Sequence, residues 1–183
     1  MWGKVGASGS HRRQGPHTPA SRTPVPSAAG DLRLFQGKFE HTIDEKGRLA
    51  VPLPFRRKIS PEDNLEAAVM VTISDQCLAA YPLVEWAEKL AMIAKLNQLD
   101  PKVMAFKRIF IGCAQECPID KAGRILIPLD LRKDARLVRD CTIVGQLEKF
   151  ELWATERWQA SFPQLTDQVG AIYASLAELG IQI

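Results

Sequence analysis

The sequence predicts an α+β fold built as two copies of one plan: a tight β-hairpin, a short helix, two further strands and a longer helix. Three observations predict it. "HTIDEKGRLAVP" at 41–52 comes round again as "CPIDKAGRILIP" at 117–128, each with Ile-Asp, a turn containing Lys, then Gly-Arg, three apolar residues and Pro. Tyr81 and Trp153 lie 72 residues apart, as do Trp86 and Trp158, while the hairpins lie 76 apart, so a duplication with one shortened loop accounts for both spacings. Finally, within residues 34–183 the positive charge gathers around the two hairpins: residues 37–59 and 119–139 each hold six basic side chains against three acidic ones.

The elements follow in order. Residues 1–33 are rich in Gly, Pro, Ser and Arg and lack hydrophobic periodicity, so they are expected to be disordered. The first repeat is placed at 34–110 and the second at 111–183. In the first, Asp44, Glu45, Lys46 and Gly47 form the turn. Asp at its start can accept bonds from backbone N–H groups ahead. Gly at its end can take the positive φ of a type I turn with a G1 bulge. Pro52 and Pro54 stop the strand, and "PFRRKI" predicts a short helix with Pro near its first position. "AAVMVTI" and "CLAAYP" are strands, and a helix runs from Leu83 to about Leu99. It places Trp86, Leu90, Ile93 and Leu96 or Asn97 on one face and lets Glu85 pair with Lys89. The second repeat has Asp120 and Gly123 in its turn. "LDLRKDA" sets Arg132 and Lys133 where Arg56 and Arg57 fall in the first. "CTIVGQ" and "KFELW" are the next strands, "TERWQASF" opens the next helix, and "SPEDN" of the first copy has no full counterpart.

Composition is that of an ordinary globular protein. Cys77, Cys113, Cys117 and Cys141 sit in apolar settings and read as reduced, packed thiols; Cys113 and Cys117 lack the spacing and the nearby His of a zinc or redox pair. No apolar run approaches the roughly 20 residues of a membrane span, and the N-terminus lacks the apolar core of a secretion signal, which points to the cytoplasm by elimination. No cofactor motif is present.

A lone Asp-x-x-x-Arg says little; the same spacing at matched places in a duplicated unit says more. A short carboxylate at a turn start is a backbone acceptor, and a carboxylate facing DNA would repel it, so Asp44 and Asp120, with Gly47 and Gly123, are assigned to the turn itself. Arg48 and Arg124 are less well explained by stability, because an exposed ion pair adds little. A planar guanidinium grips phosphate or bridges O6 and N7 of guanine. Lys46 and Lys121 add point charges toward phosphate.

"GKFEHTIDEKGRLAVPLPFR" and "IDKAGRILIP" resemble the two signatures of the MraZ family of bacterial transcriptional regulators, over about residues 34–180. The resemblance implies an AbrB-like fold in which β-hairpins interleave into a swapped-hairpin barrel, both hairpins coming from one chain. It also implies a ring-shaped homo-oligomer on the nucleoid. That ring would bind direct repeats of double-stranded DNA in the promoter of the division and cell-wall gene cluster and act as a repressor. On matching positions the DNA contacts fall on Lys46, Arg48 and Arg124, with Lys121 beside them. Members begin near the position of Leu34, so 33 residues here precede that point. Trp86, Trp158 and Phe162 are assigned to the core ahead of subunit contacts.

Two rivals remain. An enzyme would have to rely on His41, the one His of the body, or on Asp44 and Asp120 as a carboxylate dyad in a shared cleft; the expectation is that the chain is not an enzyme. The other is an antitoxin-like or protein-interaction module of the same fold acting without specific DNA binding.

Overall fold

A computed structural model describes residues 34–60 and 67–181. The stretch 1–33, expected to be disordered, and most of the "SPEDN" loop lie outside the described residues. β1 (Lys38–Thr42) and β2 (Arg48–Ala50) flank the first turn. α1 (Leu53–Ile59) starts directly behind Pro52, with Pro54 in the first turn, where a missing N–H has no helical partner to lose. Then come β3 (Ala68–Ile73), β4 (Leu78–Pro82) and α2 (Leu83–Ala94).

α2 is shorter than expected, and a separate helix follows, α3 (Pro101–Phe110). Its start signal was visible: Asp100 Oδ1 accepts from Lys102 N at 2.7 Å, and Pro101 occupies the first helical position. The second copy supplies β5 (Gln115–Pro118), β6 (Arg124–Leu126), α4 (Leu129–Asp134), β7 (Asp140–Gln146) and β8 (Lys149–Ala154). α5 (Thr155–Asp167) and α6 (Val169–Glu178) end the described chain.

These elements make a mixed α+β fold with two antiparallel sheets. One has six strands in the order β1-β7-β8-β4-β3-β5, the other is the pair β2-β6. Each hairpin holds itself together by one bridge beside its turn, Ile43 with Leu49 and Ile119 with Ile125. Beyond that bridge the strands part and pair across the duplication. β1 runs against β7, from Lys38 opposite Val144 to Thr42 opposite Asp140. β5 runs against β3, Ala68 opposite Pro118 and Val71 opposite Gln115. β2 pairs with β6, and β4 with β8. Each hairpin therefore pairs its first strand with a strand of the other copy.

The core is drawn from both copies accordingly. Phe35, Phe55 and Phe150 are fully buried, with Leu49, Val69, Val71, Ile125 and Ile143 around them. Gly145 in β7 lets the incoming chain approach: a Cβ there would lie 2.5 Å from Phe35 C and Gln36 N. Phe35 N donates to Leu147 O at 2.6 Å beside this crossing. A Gly inside a strand signals such an approach, and the strand reading of "CTIVGQ" had passed over it.

A smaller cluster joins Ala79, Tyr81 and Trp86 to Phe110 and Leu90 under α2 and α3. Trp86 is buried as assigned; Trp158 is half-buried against Trp153, and Phe162 is exposed. Lys89 pairs with Glu148 Oε1 at 3.0 Å rather than with Glu85. The four cysteines are free thiols, and burial pushes Cys117 up to about 11 and Cys141 up to about 12. Among the described residues no helix is long and apolar enough to cross a membrane.

Candidate nucleic-acid interface

The two turns have the same geometry. In the first, Gly47 N donates to Asp44 O at 2.8 Å, and Gly47 takes φ 84°. Asp44 Oδ1 accepts from Lys46 N at 3.0 Å and Arg48 N at 2.9 Å, while Oδ2 accepts from Arg48 Nε at 2.7 Å. In the second, Gly123 N donates to Asp120 O at 2.8 Å, with φ 75° at Gly123. Asp120 Oδ1 accepts from the backbone N of Ala122 and Arg124, both at 2.9 Å. Asp120 Oδ2 accepts from Arg124 Nε at 3.0 Å and Nη2 at 2.8 Å. One carboxylate thus does two jobs: Oδ1 ties the backbone of the turn, and Oδ2 fixes the plane of the guanidinium. Lys46 and Lys121 sit exposed at the tips.

The β2-β6 pair brings the turns together. Arg48 lies opposite Leu126, Leu49 opposite Ile125 and Ala50 opposite Arg124. Alternation then sorts the side chains. Leu49 and Ile125 point into the core. Arg48, Ala50, Arg124 and Leu126 share the outer face, where each arginine is about a third exposed. The arginines are diagonal neighbours on that face, a relation that places Cβ atoms about 7–8 Å apart. Asp120, and in smaller part Asp44, raise the pKa of the Arg124 guanidinium. Asp44 engages Nε of Arg48, and Asp120 engages Nε and Nη2 of Arg124, while about a third of each arginine side chain stays exposed.

The family model of the MraZ protein, whose description adds a suggested antitoxin-like nature, matches residues 34–109 and again 110–169. The chain belongs to the MraZ family. A protein of Shewanella woodyi named transcriptional regulator MraZ is 38% identical over 136 residues, covering 74% of this chain and 90% of its own length. One of the same name from Lactobacillus delbrueckii subsp. bulgaricus is 37% identical over 145 residues, covering 79% and 95%. One from Lactiplantibacillus plantarum is 37% identical over 145 residues, covering 79% and 96%.

In this MraZ-family chain the carboxylates of Asp44 and Asp120 are both held below the ordinary value, Asp44 chiefly by the Arg48 backbone N–H and Asp120 chiefly by the Arg124 side chain. A dyad sharing a proton would raise one of them, so the dyad reading is not supported. Lowered values mean that the folded state binds fewer protons than the unfolded one. The stabilisation is complete above the ordinary carboxylate range near about pH 4 and is lost as pH falls through the folded value. Thermal melts between pH 6 and 3 are expected to show a smaller acid-side fall for the Asp44→Asn, Asp120→Asn double variant than for the parent. Parallel curves would show that the turn carboxylates titrate normally.

His41 lies on β1, half-exposed beside Glu40, Thr42, Asp140 and Thr155, and burial lowers its pKa. Among the described residues no group of three or more His, Cys, Asp or Glu is placed to hold a metal ion.

Sequence reasoning missed Leu126, which stands 56% exposed on the outer face beside Arg124. It was read as one of three apolar strand residues, and only the β2-β6 register shows that it faces out. Reasoning also matched Arg56 with Arg132 without seeing where they go.

Proposed function

We propose that the chain is a sequence-specific, double-stranded-DNA-binding transcriptional regulator that reads DNA with the outer face of the β2-β6 ribbon. The observation that carries this is the placement of Arg48 and Arg124, each held by its Asp, side by side on an exposed two-stranded ribbon. The major groove admits such a ribbon. A guanidinium whose plane is already fixed loses less entropy when it bridges guanine O6 and N7. Lys46 and Lys121 then reach phosphates, and Leu126 offers an apolar contact for a thymine methyl. The names of the relatives agree with a regulatory role.

The reciprocal pairing of β1 with β7 and β5 with β3 supports the AbrB-like swapped-hairpin reading, with repeats at 34–110 and 111–183. Apolar side chains on the helices support assembly of copies into a ring. Met92, Phe106 and Ile109 are exposed on α2 and α3, and Phe162, Leu165 and Tyr173 on α5 and α6. One ribbon covers few base pairs; a ring that engages tandem repeats gains by effective concentration. On this reading the protein works in the cytoplasm on the nucleoid, without a cofactor, and represses the division and cell-wall gene cluster by blocking polymerase at promoter repeats.

The test is binding of purified protein to the duplex upstream of its own gene, against a scrambled duplex, from about 50 to about 200 mM salt. A preference for the native duplex, with log affinity falling linearly in log salt, is expected. Equal affinity for both duplexes would overturn it. The second reading, a protein-contact module of antitoxin type, draws on the ion pairs that close both turns on themselves. It would take first place if no salt-dependent DNA binding is seen.

A further inference from the structure

We propose that Arg56 and Arg132 are positioning residues for the two turns, each acting on the hairpin of the other copy. Arg56 follows Arg48 by eight residues in α1, and Arg132 follows Arg124 by eight in α4. Yet neither lies under its own turn. A Cβ built on Gly47 would lie 2.8 Å from Arg132 Nη2 and 2.9 Å from Arg132 Cζ. A Cβ built on Gly123 would collide with Arg56 Nη1 and lie 2.5 Å from Arg56 Cζ. The bare face of each turn glycine is therefore covered by a guanidinium from the opposite copy. Positive φ already favours glycine at both places; the crossed arginines give a second reason for it.

The first contact closes a loop. Ile127 N donates to Gly47 O at 3.0 Å, and Arg132 Nε donates to Ile127 O at 3.0 Å while its Nη2 end lies against Gly47. On the other side, Val51 N donates to Gly123 O at 2.9 Å, but Arg56 Nε is buried with no hydrogen-bond partner among the described residues. A buried, unpaired donor is costly, so packing against Gly123 holds Arg56 where hydrogen bonding does not. The strands β2 and β6 are only three residues each. So short a ladder leaves the tilt of the turns loose, and a planar fork laid on a Cβ-less peptide removes that freedom. The arrangement aims Arg48 by means of the second copy and Arg124 by means of the first. Its consequence for DNA rests on the function proposed above; the crossed seating does not.

The test is amide hydrogen exchange of the full chain, followed in peptides covering 42–50 and 118–126, for Arg132→Met and Arg56→Met, which keep the apolar stem. Arg132→Met is expected to speed exchange about tenfold in 42–50 and to leave 118–126 unchanged, and Arg56→Met to do the reverse. Arg132→Lys and Arg56→Lys, which keep charge and lose the fork, are expected to follow the Met variants; they also serve if a Met variant fails to fold. Loosening of a variant's own hairpin, equal loosening of both, or wild-type exchange would overturn the inference. In parallel, the crossed variants should bind the native upstream duplex more weakly with an unchanged salt slope, since they aim contacts rather than make them. Should the parent protein show no preference for that duplex, the DNA reading fails while the exchange pattern still decides the seating.

Discussion

Phe55→Ala is expected to lower the unfolding free energy by about 3–5 kcal/mol, the usual range for emptying a fully packed aromatic site. Phe55 has no exposed surface. Its ring meets Phe35 at 5.0 Å and Phe39 at 5.2 Å, both edge-on, and Phe150 at 5.3 Å. Those partners come from the incoming chain, β1 and β8, so one ring on α1 joins both copies. Aromatic pairs add to area burial, and the surrounding backbone is tied by the β1-β7 ladder, so collapse into the cavity is restricted. Urea unfolding at fixed protein concentration measures the effect. Phe55→Leu should recover more than half of it, because most of the volume returns. A loss below about 1 kcal/mol for Phe55→Ala would mean that the cluster is not the joint between the copies.

Arg48→Ala and Arg124→Ala are each expected to weaken binding to the native upstream duplex about tenfold to a hundredfold, and to relax the preference over scrambled DNA. The two arginines are related by the duplication and share one face, so the effects should be similar in size. Each substitution also frees an Asp carboxylate beside the outer face of the ribbon, which would add repulsion of a nucleic acid to the lost contact. Lys46→Ala and Lys121→Ala should differ in kind: affinity falls for native and scrambled duplexes alike, and the salt slope shrinks by about one unit each. Size-exclusion profiles matching the parent separate these effects from loss of assembly. Wild-type affinity in both arginine variants would leave the doubled motif with a purely architectural role.

The turns were legible in the sequence because the hydrogen bonds and the glycine that close each one lie within five residues. Asp44 reaches Lys46 and Arg48, Asp120 reaches Ala122 and Arg124, and Gly47 and Gly123 supply the positive φ. The short helices behind Pro52 and Pro128 were legible for the same reason. α3 could have been read from Asp100-Pro101, but the sequence reading ends its helix near Leu99 and assigns no element to residues 101–110. The Lys89 pairing went the other way: helical spacing suggested Glu85, while the fold presents Glu148, 59 residues on.

Thus the sequence by itself determined the duplication, the two Asp-x-x-x-Arg turns, the family resemblance and the gathering of positive charge around the two hairpins. Those are properties of local spacing and composition. Only the tertiary structure decided that β1 pairs with β7 and β5 with β3, that Arg48 and Arg124 share one ribbon face, and that Arg56 and Arg132 cross to the opposite turns. Strand partners about fifty residues apart in β3 and β5, and about a hundred apart in β1 and β7, leave no periodic trace in either strand. What selects them is the burial of Phe35, Phe55, Phe150, Leu49 and Ile125 in one core drawn from both repeats.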